Sequence, residues 1–344
     1  MATFRSSIKF CALSAFAAYG WLRLKLVRSP TLIILTYHRV LPKNDPEREV
    51  EQPGMVVSPS NLKQHIKIIR SLGATPTHLD DWLQKRKAGA PLPALSVAFT
   101  FDDGWRDNYL HGYPVLRKAG IPATIFLVTG MIDTPDTFWP EQVIKLLRAP
   151  DINLNDSRLN WLHPYLGDFS KRATPLSLME ADEVINRLKD LDDATIIQKL
   201  KNLNTASPDY ISGNQTIKTW AILRSEELKE MAGGNLIKFG AHTRNHFRLN
   251  RLNSKQALEE QILGCQADLN EMQINSVPIF CYPNGDITKD GEQLVEDNYT
   301  AACTTKTGWN RADRNEFDLH RFNLHDGNSS SPRRLLATIG RSLV

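Results

Sequence analysis

Apolar runs alternate with amphipathic stretches along most of the chain. Thr31-Leu32-Ile33-Ile34-Leu35-Thr36-Tyr37 is almost unbroken in its branched and aromatic character. That is the pattern of a strand buried on both faces. Comparable runs predict strands at 95–101, 123–129, 236–241, 278–283, 299–304 and 319–324. Between them the apolar spacing becomes helical. Residues 61–72 carry Leu62, Ile66 and Ile69 on one side and meet Gly73 as a stop. His65 is expected on the exposed side of that helix. Further helices are predicted over 80–87, 109–119 and 254–272. Strands interleaved with helices in this way predict parallel β/α packing.

Two segments break the alternation. Residues 131–232 are polar and helical in tendency, as in Glu141–Arg148, Leu178–Leu188 and Asp193–Leu203, with Trp139, Trp161 and Trp220 scattered through them. They read as an inserted helical subdomain between residues 31–130 and 233–344, serving as a lid, a substrate-side wall or an inert elaboration. Residues 1–30 stand apart as well. Phe10 to Leu22 carries no charge and is flanked by Arg5, Lys9, Arg23, Lys25 and Arg28. It falls short of the roughly 20 apolar residues that span a bilayer. Three readings stand: a signal peptide cleaved near Ala15-Phe16-Ala17, a basic interfacial helix in peripheral contact with a membrane, or a helix packed on the domain.

Composition changes this picture little. The chain is 41% hydrophobic and 23% charged, as in soluble globular proteins. A net charge of +4 gives no argument for a nucleic-acid partner. The four cysteines form no C-x-x-C pair, so buried free thiols are expected at Cys281 and Cys303.

The chemistry gathers where strands end. The 95–101 strand runs into Asp102-Asp103-Gly104, and a turn at Gly104 lets both carboxylates reach one cavity. The 236–241 strand runs into His242-Thr243-Arg244-Asn245-His246. Two histidines four apart on one side of a helical turn have metal-ligand spacing. One carboxylate with two imidazoles makes a three-ligand site that leaves a position open. His38, Pro283 and His325 also follow predicted strands directly. In a parallel barrel such positions share the face that carries the active site.

These residues resemble the polysaccharide deacetylases with a NodB-homology domain. Thr100-Phe101-Asp102-Asp103-Gly104 matches the family's first motif, and His242-Thr243-Arg244-Asn245-His246 matches its H-[ST]-x-x-H motif. The match covers roughly 31–130 and 235–325. The resemblance implies a distorted (β/α)7 barrel carrying the helical insertion. It implies Asp102 as catalytic base and Asp103, His242 and His246 as ligands of a divalent metal, usually zinc. It further implies a hydrolase that removes N-acetyl groups from an amino-sugar polysaccharide with metal-activated water. The expected location is the cell envelope, membrane-associated or exported, with the cytoplasmic face left open. Phe280-Cys281-Tyr282-Pro283-Asn284-Gly285 is similar to the family's third motif, with the N–H of Asn284 facing the oxyanion. That motif's arginine is absent here, and Arg321 is expected either to supply the guanidinium or to form a surface ion pair.

Two histidines compete as general acid. His325 sits in a late L-x-x-H-like motif, whereas Tyr37-His38 resembles the circularly permuted members acting on poly-N-acetylglucosamine-type exopolysaccharides. The early position favours His38. Rival readings are a carbohydrate O-acetyl esterase and a non-catalytic, metal-containing glycan-binding protein. The pair His242–His246 lacks the glutamate of H-E-x-x-H, which argues against that class of zinc protease.

Overall fold

A computed structural model describes residues 2–172, 175–206 and 221–340. Trp220 lies outside them.

Every predicted strand forms. β1 (Thr31–Tyr37) is followed by β2 (Arg39–Val40), β3 (Val56–Val57), β4 (Thr75–Pro76), β5 (Leu95–Phe101) and β6 (Ala123–Leu127). Beyond the insertion come β7 (Ile237–Ala241), β8 (Ser276–Cys281), β9 (Ala301–Cys303), β10 (Asn310–Arg311) and β11 (Phe322–Asn323). The main sheet runs β10-β1-β5-β6-β7-β8-β9, and all its pairings except β1–β10 are parallel. Its two edges are joined by one short segment. Leu319 bridges Cys303 of β9, and Phe322 of β11 pairs with Leu35 of β1. The parallel strands thus close as a distorted seven-membered β/α barrel, with its seam at 319–323.

Period-two alternation sorts the side chains. Ile33, Leu35 and Tyr37 of β1 face the main core under the helices, while Leu32 and Ile34 belong to a smaller cluster with Ala98, Ile279, Cys281 and Cys303. Thr36 and Thr100 continue the inner rows and share a hydrogen bond of 2.9 Å. One step of two further along come His38 and Asp102. The inner face of the barrel therefore turns polar at the C-terminal ends of its strands.

The helices differ from expectation in detail. The first barrel helix spans Pro59–Ser71 and is capped by Ser58, whose hydroxyl accepts from the Asn61 N–H. His65 on it is fully buried, contrary to the expected exposed side. Its Nδ1 lies 3.1 Å from Tyr37 Oη and its Nε2 2.8 Å from the Ser329 carbonyl. The C-terminal segment covers that side of the helix, which local spacing could not foretell.

Trp139–Leu147, Leu178–Leu188 and Asp193–Ala206 are helices of the insertion. They surround a core of their own that includes Val143, Ile144, Leu159, Val184 and Leu200. The first thirty residues hold a helix, Ala2–Lys25, whose Ala17, Gly20 and Leu24 are buried. Gly20 lies against Leu336 and Gly340 of the Pro332–Gly340 helix so closely that a Cβ would collide with Leu336 O. No described helix is long and apolar enough to cross a membrane.

Candidate active site

Strand register places the functional side chains. Tyr37 pairs with Phe101, and the Asp102 N–H donates to the Tyr37 carbonyl at 2.9 Å. His38 and Asp102 therefore emerge side by side. Leu127 pairs with Ala241, and the His242 N–H donates to the Leu127 carbonyl at 2.9 Å.

Asp103, His242 and His246 converge. Asp103 Oδ1 lies 3.3 Å from His242 Nε2 and 3.4 Å from His246 Nε2. Three donors about 2.1 Å from one tetrahedral ion stand about 3.4 Å apart, so the donor set fits a single divalent cation. His242 Nδ1 meets the Cys281 carbonyl at 2.7 Å, which fixes the proton there and turns Nε2 toward Asp103. Asp103 Oδ2 accepts from Trp105 Nε1 at 2.9 Å.

The histidines do not lie on a helical turn, as their spacing suggested. The segment from His242 to His246 is irregular, with left-handed backbone at Thr243 (φ 62°) and His246 (φ 60°). Asp103 (φ 73°) and Asn284 (φ 53°) share that conformation. These bends, not helical periodicity, bring the two imidazoles within 5.0 Å of each other.

Asp102 is held differently. Arg321 Nη1 donates to both of its carboxylate oxygens at 2.8 Å, and Arg321 Nε donates to the Thr304 carbonyl. The expected alternative of a surface ion pair fails, because both side chains are buried. An arginine from the barrel seam thus brings a guanidinium to Asp102, whereas the Tyr282-Pro283-Asn284 turn carries none. Burial alone would push the Asp102 carboxyl up. The Arg321 guanidinium, with His242 and His38, more than offsets this and holds it below the usual range. Asp103 is likewise lowered against its burial, by His242 and His246. At His242 burial disfavours the imidazolium, yet Cys281 and the two carboxylates raise its pKa well above the ordinary value. Burial pushes His246 down to about 4.

A second donor group, Asp102, His242 and Cys281, is also compact. It fits an ion less well. Burial pushes the Cys281 thiol up, which disfavours the thiolate a metal needs, and Arg321 already engages both oxygens of Asp102.

The two competing histidines separate. His38 lines the cavity with Nε2 3.9 Å from Asp102 Oδ2. His325 does not line it; its Nδ1 instead accepts from the Gly327 N–H at the start of a short helix. Tyr282 and Asn284 line the cavity, with Pro283 buried in the turn between them.

The cavity measures about 380 Å³. The insertion contributes Phe138, Trp139, Pro140, Glu141, Lys189 and Asp193 to its lining, which makes it a wall of the site. Residue pattern alone does not assign these side chains a role. Glu141 is buried with Oε2 lacking a hydrogen-bond partner among the described residues, and burial raises its carboxyl well above the ordinary value. Asp193 ties the wall to the barrel. It accepts from Trp139 Nε1 at 2.9 Å and from the Arg248 N–H and Nε at 2.8 and 3.0 Å. Both members of that ion pair are buried. Asp193→Ala is expected to cost about 3–5 kcal/mol, because it strands the Arg248 guanidinium without its counter-charge. A thermal melt within a degree of the parent protein would sink that expectation.

The chain is 28% identical over 103 residues to the poly-beta-1,6-N-acetyl-D-glucosamine N-deacetylase of Escherichia coli (strain K12), covering 30% of this chain and 15% of that protein. It is 33% identical over 109 residues to the protein of the same name from Staphylococcus aureus (strain MSSA476), covering 29% of this chain and 37% of the relative. It thus matches well under half the length of either relative. Among solved structures, the Streptococcus pyogenes deacetylase PplD in complex with acetate aligns with a TM-score of 0.58 at 19% identity, covering 91% of this chain and 99% of that one. IcaB from Ammonifex degensii aligns at 0.53 and 17% identity, covering 90% and 98%. These two share the barrel fold. The family model for polysaccharide deacetylase matches residues 89–195 and 193–302, more than half of the chain and both carboxylate and histidine clusters. On that match the chain belongs to the polysaccharide deacetylase family.

Proposed function

We propose that this chain is a divalent-metal N-deacetylase acting on an amino-sugar polysaccharide of the poly-β-1,6-N-acetylglucosamine type, at the cell envelope. The observation that carries the reading is the triangle of Asp103, His242 and His246 beside a carboxylate clamped by a buried arginine. The relatives' names supply the substrate class.

Asp103, His242 and His246 would hold the ion, and two imidazoles with one carboxylate favour zinc. When bound, such an ion polarises the acetyl carbonyl and makes water more acidic. Asp102 accepts the proton of the attacking water. Arg321 keeps Asp102 ionised and aims it into the cavity. Tyr282 and the Asn284 turn line the wall where negative charge develops on the carbonyl oxygen, with the Tyr282 ring packed against Phe280 in the main core. His38 gives its proton to the departing amine. Phe138, Trp139 and Glu141 present the insertion's face to the sugar.

Acetate release from matched N-acetylated and O-acetylated glycans, with metal-reconstituted protein, tests the reading. Release from the N-acetylated polymer is expected. Release from O-acetylated glycans alone would replace the reading with an esterase, and binding without release would replace it with a glycan-binding protein.

The assignment of the acid is tested separately. An amine is a poor leaving group unless protonated, whereas an aryl acetate leaves without help. His38→Ala is expected to lower amide turnover by about 10²–10⁴-fold while affecting an activated ester far less. His325→Ala should change little on either substrate. The reverse pattern would move the acid to His325.

A further inference from the structure

Exposed apolar surface on this protein is concentrated in one place. Among the described residues, eight large hydrophobic side chains are exposed, and six of them are Phe10, Phe16, Tyr19, Trp21, Leu22 and Leu26. Each is about half accessible, between 46% and 56%. Phe16, Tyr19, Leu22 and Leu26 follow one another at spacings of three, three and four, which is a single helical stripe. The exposed Ala12, four residues before Phe16, extends it by one turn. The stripe is not the helix's packing face. Ala17, Gly20 and Leu24 already fill that role toward the Pro332–Gly340 helix. A contiguous apolar row at the surface of a folded domain marks an interaction surface.

Its surroundings are cationic. The chain carries no aspartate or glutamate before Asp45. Toward the N-terminal end of the helix, Arg333 lies over the Phe10 ring at 4.3 Å. At the other end a cleft of about 420 Å³ is bounded by Tyr19, Leu22, Leu26 and Trp309 together with Arg23, Arg28 and Arg311. Arg23 donates to the Gly340 carbonyl at 2.9 Å and stacks on Trp309. Apolar walls with the guanidinium groups of Arg28 and Arg311 suit an amphiphile with an anionic head, since guanidinium pairs with phosphate through parallel hydrogen bonds.

We propose that the outer face of the Ala2–Lys25 helix docks the protein on an anionic phospholipid bilayer, its apolar stripe in the interface and the Arg28–Arg311 cleft on a lipid phosphate. The helix lies on the membrane and does not cross it. The cleft reaches Thr31, at the N-terminal end of β1, whereas Asp102 emerges at the opposite end of that strand pair. A seven-residue strand holds the catalytic mouth about 20 Å from the headgroups, facing the aqueous side. This inference is independent of which acyl group the site removes.

Vesicle flotation of the full chain tests it. Phosphatidylcholine vesicles containing phosphatidylglycerol are expected to carry the protein up the gradient, and pure phosphatidylcholine vesicles to carry at least about tenfold less. High salt should weaken the binding. Arg28→Glu/Arg311→Glu should abolish the preference for phosphatidylglycerol, and Phe16→Ser/Leu22→Ser should abolish flotation. Thermal melts of both variants are expected to match the parent, since the altered side chains face outward. Flotation that is absent in the parent, or unchanged in either variant, overturns the proposal. So does a dimer in solution that Phe16→Ser/Leu22→Ser dissociates while vesicles capture nothing, because a second copy would then cover this face.

Discussion

Asp103→Ala is expected to leave the protein folded, without a tightly bound divalent ion and with acetate release down by about 10³-fold or more. One carboxylate oxygen stands 3.3 and 3.4 Å from the two imidazole nitrogens, so it completes the only three-donor set among the described residues whose members are all free to bind. Two imidazoles alone hold zinc far less firmly, and the Lewis-acid contribution that disappears is worth several kcal/mol of barrier. Trp105 also loses the acceptor for its indole N–H, which adds a modest stability cost. Metal content by elemental analysis, measured beside turnover, decides the matter. Full metal occupancy in the variant would show that Asp103 is no ligand.

Asp102→Asn is expected to give the complementary result, with metal retained and turnover lowered by about 10²–10⁴-fold. Asparagine keeps the shape and cannot accept a proton from water. It also leaves Arg321 buried beside a neutral amide, and stranding such a charge costs about 3–5 kcal/mol. A lower melting temperature should therefore accompany the lost activity. Asp102→Asn/Arg321→Gln should recover part of the stability and none of the turnover, which separates chemistry from folding. Loss of the ion in Asp102→Asn would exchange the two aspartates' roles and point to the Asp102–His242–Cys281 group.

The barrel was legible because its strands are buried on both faces and so read as continuous apolar runs, Leu32–Leu35 most clearly. The carboxylate and histidine clusters were legible because they sit in contiguous motifs at strand ends. What escaped depends on contacts made far along the chain. Arg321 reaches Asp102 across 219 positions, and only closure of the barrel decides between that partner and solvent. Trp105 was close at hand in sequence, two residues beyond Asp103, but an indole donor leaves no periodic trace. Glu141, Trp139 and Lys189 acquire meaning only from the docking of the insertion through Asp193 and Arg248. The four-residue spacing of His242 and His246 misleads as to backbone, because left-handed bends mimic the reach of a helical turn.

Those bends set a trade-off between durability and chemistry. Among the described residues, four of the seven non-glycine positions with positive φ are Asp103, Thr243, His246 and Asn284, all at the mouth of the barrel. Such backbone costs on the order of 1–3 kcal/mol per residue, most for a β-branched side chain such as Thr243. Glycine would relieve the cost at any of them, and at Asp103 or His246 it would remove a proposed metal donor as well. Selection for heat resistance alone should therefore erode this rim before it touches the strands. A lineage that keeps Asp103 and His246 in left-handed backbone is one in which the reaction itself has been under continuous selection.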